Sequence, residues 1–197
     1  MNKTLILCAI ASTAFAFKPM DTHPQAVHVG VHSASLSGET HHGVSVNYEK
    51  VAPSSAYAGA DFSALSSDAQ TRTRAEVRFG YTAEKIGEMV LTPFASFGVL
   101  SVNPSWLARK DYSTSGLGCL LNLASNQYFN MGVAVQGMRL KGFKNTVSET
   151  FYGWEASYVV RVLPEVMDVE IKPYFTKLNS FARERHFGVK TSIGYAF

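Results

Sequence analysis

Six histidines are the residues best suited to chemistry in this chain of 197 residues. His28 and His32 share one face of an extended backbone. Four residues along a strand is ~13 Å, too far for one metal ion. His41 and His42 are adjacent in what reads as a loop, and adjacent histidines alone do not make a coordination shell. His32 precedes Ser33, but neighbours in a strand point to opposite faces, so they cannot act as base and nucleophile. His186 could meet Ser180 or Glu184 only through a loop folded back on itself. No catalytic residue, metal site or cofactor is therefore expected. Two cysteines, Cys8 and Cys119, exclude a disulfide framework and a cysteine-rich zinc site.

A second set of residues is conspicuous for its phase. Asp61, Glu76, Glu155 and Glu170 fall on the polar side of alternating segments, as do Arg74, Arg78, Arg161, Lys172 and Lys190. On one wall of a closed sheet these acids and bases would form a paired network. Buried charge is tolerable only when paired and hydrogen-bonded.

The elements that must position these charges are strands, because the dominant pattern has period two. Val27, Val29 and Val31 alternate with His28, Gly30 and His32. Ala75, Val77, Phe79 and Tyr81 alternate with Arg74, Glu76, Arg78 and Gly80. Phe187, Val189, Thr191, Ile193, Tyr195 and Phe197 alternate with polar or small residues. Ten such segments are expected, near 26–36, 43–51, 55–65, 72–82, 89–102, 112–123, 127–140, 150–163, 167–178 and 186–197. Each is about as long as the 9–11 residues of a tilted membrane strand, or somewhat longer. Nearly every strand glycine falls on the polar phase; Gly137 alone falls on the apolar one. Small residues on an inner wall leave room for larger side chains in a narrow barrel. The expected fold is all-β, a single antiparallel up-and-down transmembrane β-barrel of ten strands. Eight strands is the alternative, with 43–51 and 55–65 the weak segments.

Residues 1–16, MNKTLILCAIASTAFA, have a cationic start, an apolar run and a small-x-small end at Ala14-Phe15-Ala16. That is the form of a cleaved signal peptide, with 17–197 the barrel domain. Hydrophobic residues make up 46% and charged residues 17% of the chain, which excludes a disordered one. No stretch after the leader is apolar for the roughly 20 residues of a spanning helix. A net charge of +3 is too small to argue for nucleic acid.

The chain closes on Ile193-Gly194-Tyr195-Ala196-Phe197. With Val189 this alternation ending in phenylalanine resembles the assembly signal of bacterial outer-membrane proteins. The chain as a whole resembles the small outer-membrane β-barrels of the OmpA-barrel or OmpX-like superfamily. The resemblance implies the outer membrane of a Gram-negative-type bacterium. It also implies partners: outer-membrane lipid and lipopolysaccharide, the barrel-assembly machinery and periplasmic chaperones. No peptidoglycan-binding domain is expected after the last strand.

With both termini in the periplasm, outer loops are expected near 37–42, 66–71, 103–111, 141–149 and 179–185. Tyr48, Phe79, Tyr81, Phe129, Tyr195 and Phe197 would mark the periplasmic interface. Phe62, Tyr152, Trp154 and Phe187 would mark the outer one. Arg72, Arg109, Lys110, Lys141, Lys144, Arg183 and Arg185 give the outer rim a basic character that suits lipopolysaccharide phosphates. The expected role is structural or surface-interacting: envelope integrity, lipopolysaccharide contact or adhesion through the outer loops. The alternative is a narrow porin-like channel, with a lipid A-modifying enzyme last, since no catalytic set is legible.

Overall fold

The computed structural model describes residues 25–36, 38–52, 55–83, 90–105, 107–125, 129–143, 150–162, 167–179 and 185–196. Residues 1–24, which include the expected leader, and Phe197 lie outside these residues. The strands are β1 (Gln25–Leu36), β2 (Glu39–Val51), β3 (Ala56–Ser66), β4 (Gln70–Tyr81) and β5 (Val90–Pro104). The remainder are β6 (Lys110–Ser125), β7 (Phe129–Gly142), β8 (Thr150–Val162), β9 (Met167–Asn179) and β10 (Arg185–Ala196). Each pairs with its sequence neighbours, and β1 pairs with β10, so the sheet closes into one antiparallel barrel.

Ten strands, not eight, make this barrel. The weak segments β2 and β3 pair from His42↔Ser66 to Val51↔Tyr57. The closing seam runs from Ala26↔Ala196 to Leu36↔His186. Closure satisfies the backbone donors and acceptors that an open sheet would leave on its edges. The start of β1 and the end of β10 lie at one end, called here the termini end; the opposite end is the loop end.

Burial is inverted relative to a soluble sheet. Val31 and Leu117 are each 66% exposed on the outside, whereas His28 is 0% and Glu170 2% exposed inside. Val29, Val44, Val77, Phe97, Val99, Ile171 and Ile193 continue the apolar outer surface. Exposed aromatics do gather at strand ends, with Phe79, Tyr81 and Tyr195 at the termini end and Tyr152, Trp154 and Phe187 at the loop end. Phe97 adds one at mid-strand, so the pattern is broader than two belts.

Two glycines have a steric reason. Gly38 joins β1 to β2 with φ +88°, a conformation that side-chain-bearing residues rarely adopt. Gly188 lies under the Tyr174 ring, which a Cβ at that position would strike. The ring is thereby free to lie across β10 and reach β1, where its hydroxyl meets His32 Nε2 at 2.7 Å.

The lumen also contains a small apolar core. Tyr112, Met138, Leu140 and Leu178 are buried together at the loop end, with Leu100, Val102 and Phe151 packed against them. The β5–β9 wall is therefore apolar inside near its loop end. This cluster departs from the polar inner wall expected from the alternation.

Gly188→Ala should lower the folded fraction, by the ~1–3 kcal/mol typical of overpacking. The loss should shrink when Tyr174 is already alanine. Gel mobility of unboiled samples refolded in detergent measures both; equal losses in the two backgrounds would remove the steric account.

Candidate functional site

β4 places Arg74, Glu76 and Arg78 two residues apart, hence on one face and in one column along the lumen. Glu76 is the middle rung, with its side chain 1% exposed. Its Oε2 accepts from Arg74 Nη2 at 2.6 Å and its Oε1 from Arg78 Nε at 2.7 Å. Gln136 Nε2, arriving from β7, donates to Glu76 Oε2 at 3.3 Å and to Ser96 Oγ at 2.6 Å. A buried carboxylate with three donors keeps its charge without water.

The network then crosses the barrel. Arg74 Nη1 donates to Glu155 Oε2 of β8 at 2.6 Å, and Thr176 Oγ1 of β9 donates to the same oxygen at 3.1 Å. Lys190 Nζ of β10 donates to both oxygens of Asp61 on β3, at 2.9 and 2.8 Å. Arg78 also lies over the Phe94 ring, 5.5 Å from its centroid. Glu170 and Lys172 are buried on β9. The Arg161 side chain lies outside the described residues.

Two interior cavities flank this layer. A larger one of about 90 Å³ includes His32, Leu65, Arg72, Met138 and Thr176 in its lining. A smaller one of about 20 Å³ lies toward the termini end among Glu49, Tyr57, Leu120 and Asn122. Arg78 and Lys172 line both, so these side chains lie between them. Among the described residues, the contacts of this layer are ion pairs and hydrogen bonds.

The histidines depart in part from the expected loop placement. His41 and His42 are not in a loop: β2 starts at Glu39, inside the expected 37–42 loop. His41 points inward and is fully buried, with Nδ1 3.3 Å from the Glu39 carbonyl and Nε2 3.1 Å from Ser67 Oγ. This is a serine–histidine contact, but Ser67 Oγ also accepts from the backbone of Ala69 and Gln70. It closes the β3–β4 turn instead of standing free as a nucleophile. His186 lies 3.4 Å from Arg72 Nη1, while Ser180 and Glu184 lie outside the described residues. Arg72 belongs to the lumen, where it lines the larger cavity. No group of three metal-ligating side chains occurs among the described residues.

Other strands also reach into the expected loops: β4 starts at Gln70, β5 ends at Pro104, β6 starts at Lys110, β7 ends at Gly142 and β10 starts at Arg185. Strands therefore extend past the apolar zone, carrying polar residues such as Lys110, Asp111 and Lys141. Of the terminal alternation, Ile193 and Tyr195 face outward and are exposed, Val189 is half-buried, and Phe197 is outside the described residues.

The chain matches no family model and no curated protein. It is similar to outer-membrane β-barrels of known structure. Ail of Yersinia pestis, solved with the heparin analogue sucrose octasulfate, is 12% identical; the match covers 88% of this chain and 97% of Ail at a TM-score of 0.43. The translocator domain of the autotransporter NalP from Neisseria meningitidis is 11% identical, with 99% and 95% covered and a TM-score of 0.41. The KdgM porin is 8% identical, with 86% and 99% covered and a TM-score of 0.42.

Glu76→Ala should be strongly destabilising, by the ~3–5 kcal/mol of a broken buried pair, because two arginines lose their common acceptor. Asp111→Ala, whose exposed partner Arg109 sits 2.8 Å away at the loop end, should cost under ~1 kcal/mol. Urea midpoints in lipid vesicles compare the two, and similar shifts would mean that the lumen network is not structural.

Proposed function

We propose that this chain is an integral outer-membrane barrel with a filled lumen, acting as a structural and surface-interaction protein. The observation that carries the reading is the pairing of Arg74 with Glu155 across the barrel, with Glu76, Gln136 and the Lys190–Asp61 pair beside it. A pore needs its charges hydrated and apart; here they neutralise one another in the middle of the lumen. The apolar outer surface favours lipid as its surroundings. Residues 1–16 would direct export, and Val189, Ile193, Tyr195 and Phe197 would be read by the assembly machinery after delivery by periplasmic chaperones.

The working surface is then the loop end. Arg109, Lys110, Lys141 and Arg185 are exposed there, beside the acids Glu39 and Asp68. Such a rim suits lipopolysaccharide phosphates or an acidic partner, with arginine able to grip phosphate through two donors.

In planar bilayers the refolded protein should be silent. Replacing both Arg74 and Glu155 by alanine should produce stable, salt-dependent steps. Comparable steps from the unaltered protein would transfer the assignment to a channel. Protease added to intact cells should cut beside Arg109 and Lys110; full protection with the site accessible in the purified barrel would count against surface display.

A further inference from the structure

Among the described residues, the outer wall has a depression that its apolar surface does not explain. It is a groove of about 480 Å³ in which Phe97 of β5, Leu117 of β6 and Tyr152 of β8 surround Gly137 of β7. Gly137 is the outward glycine singled out by its phase. A Cβ there would meet only the Leu117 carbonyl oxygen, at 3.9 Å, so the space in front of it is open. Trp154 pairs directly with Gly137 and is exposed on the same surface.

Arg139 lines the groove and is exposed on the outer wall. Lys141, two residues further toward the loop end, is exposed on the same face. An outward-facing arginine within a membrane strand is costly unless it reaches an anion at the interface. Asp111, on the neighbouring strand, has its own cation, with Arg109 Nε 2.8 Å from its Oδ1. An apolar pit thus leads upward into two successive cations.

We propose that this column on β7 is a binding site for a phosphorylated, multiply acylated lipid of the outer leaflet, of the lipid A class. One acyl chain lies over Gly137 between Leu117 and Tyr152. The phosphate is held by the Arg139 guanidinium through paired N–H donors, with Lys141 as a second charge. The inference rests on the membrane reading above and assigns one lipid-contact site on the wall, apart from the loops.

The test is native mass spectrometry of the full chain, refolded in a neutral detergent and titrated with bisphosphorylated lipid A. Its dephosphorylated form and phosphatidylglycerol serve as comparisons. Each variant is first shown to be folded by its unboiled gel mobility. A wild type that fails to refold in detergent would defeat the membrane reading itself, which separates that failure from the failure of this site. Arg139→Gln with Lys141→Gln should weaken lipid A binding ~10-fold or more, as expected for loss of charge-assisted contacts. Gly137→Leu should weaken it by filling the pit with no change of charge. Lys50→Gln, an exposed cation on β2 at the termini end, should leave it unchanged. Equal binding by the β7 variants and the wild type, or an equal loss in Lys50→Gln, would overturn the site. Equal affinity for dephosphorylated lipid A or for phosphatidylglycerol would overturn the assignment to a phosphorylated lipid A.

Discussion

The carboxylate of Glu76 is the constraint around which this barrel is arranged. Closing ten strands makes an interior of fixed width, and every second side chain must be accommodated there. Charge enters that interior only if it is neutralised on the spot. Glu76 does this for Arg74 and Arg78 at once, and Gln136 ties the trio to the opposite wall. Arg74 then has a second N–H-bearing nitrogen to spend on Glu155. The planar guanidinium makes this possible, because it presents donors in several fixed directions where an ammonium group presents a single point of charge.

Filling and bracing are thus one act in the lumen. The same contacts that occupy the lumen also hold β4 to β8 and β3 to β10, strands that share no backbone hydrogen bonds. Apolar side chains on the outside cannot supply such bracing, since they pack as readily against lipid as against each other. What distinguishes one barrel geometry from a slipped one is therefore the fit of the interior. The Tyr174 ring seated over Gly188 is an uncharged instance of the same principle.

Period two made all ten strands legible, because inside and outside differ in polarity at nearly every step. The failure at His41 is instructive. Glu39-Thr40-His41-His42 has no apolar partner phase, so a strand that rises above the apolar zone reads as loop. The inner apolar cluster was missed for the converse reason: Met138 and Leu140 share a phase with Gln136, and the expectation of a polar lumen hid them. Inward charges such as Asp61 and Lys190 could be assigned to the lumen by phase, but not to each other. Their meeting depends on stagger across three strand pairings, which no local pattern encodes. The Gly137 groove was half visible, as an isolated glycine on the wrong face, without the rings that wall it.

The cluster of Tyr112, Met138, Leu140 and Leu178 gives this barrel something that a purely polar lumen lacks. Its apolar atoms are sheltered by protein rather than by the bilayer, so their burial does not depend on which lipid or detergent surrounds the wall. Releasing them to water raises the heat capacity, as melting the core of a soluble protein does. Part of the thermodynamic signature of unfolding thus belongs to the loop end of the lumen, and it weakens on cooling as ordinary hydrophobic cohesion does.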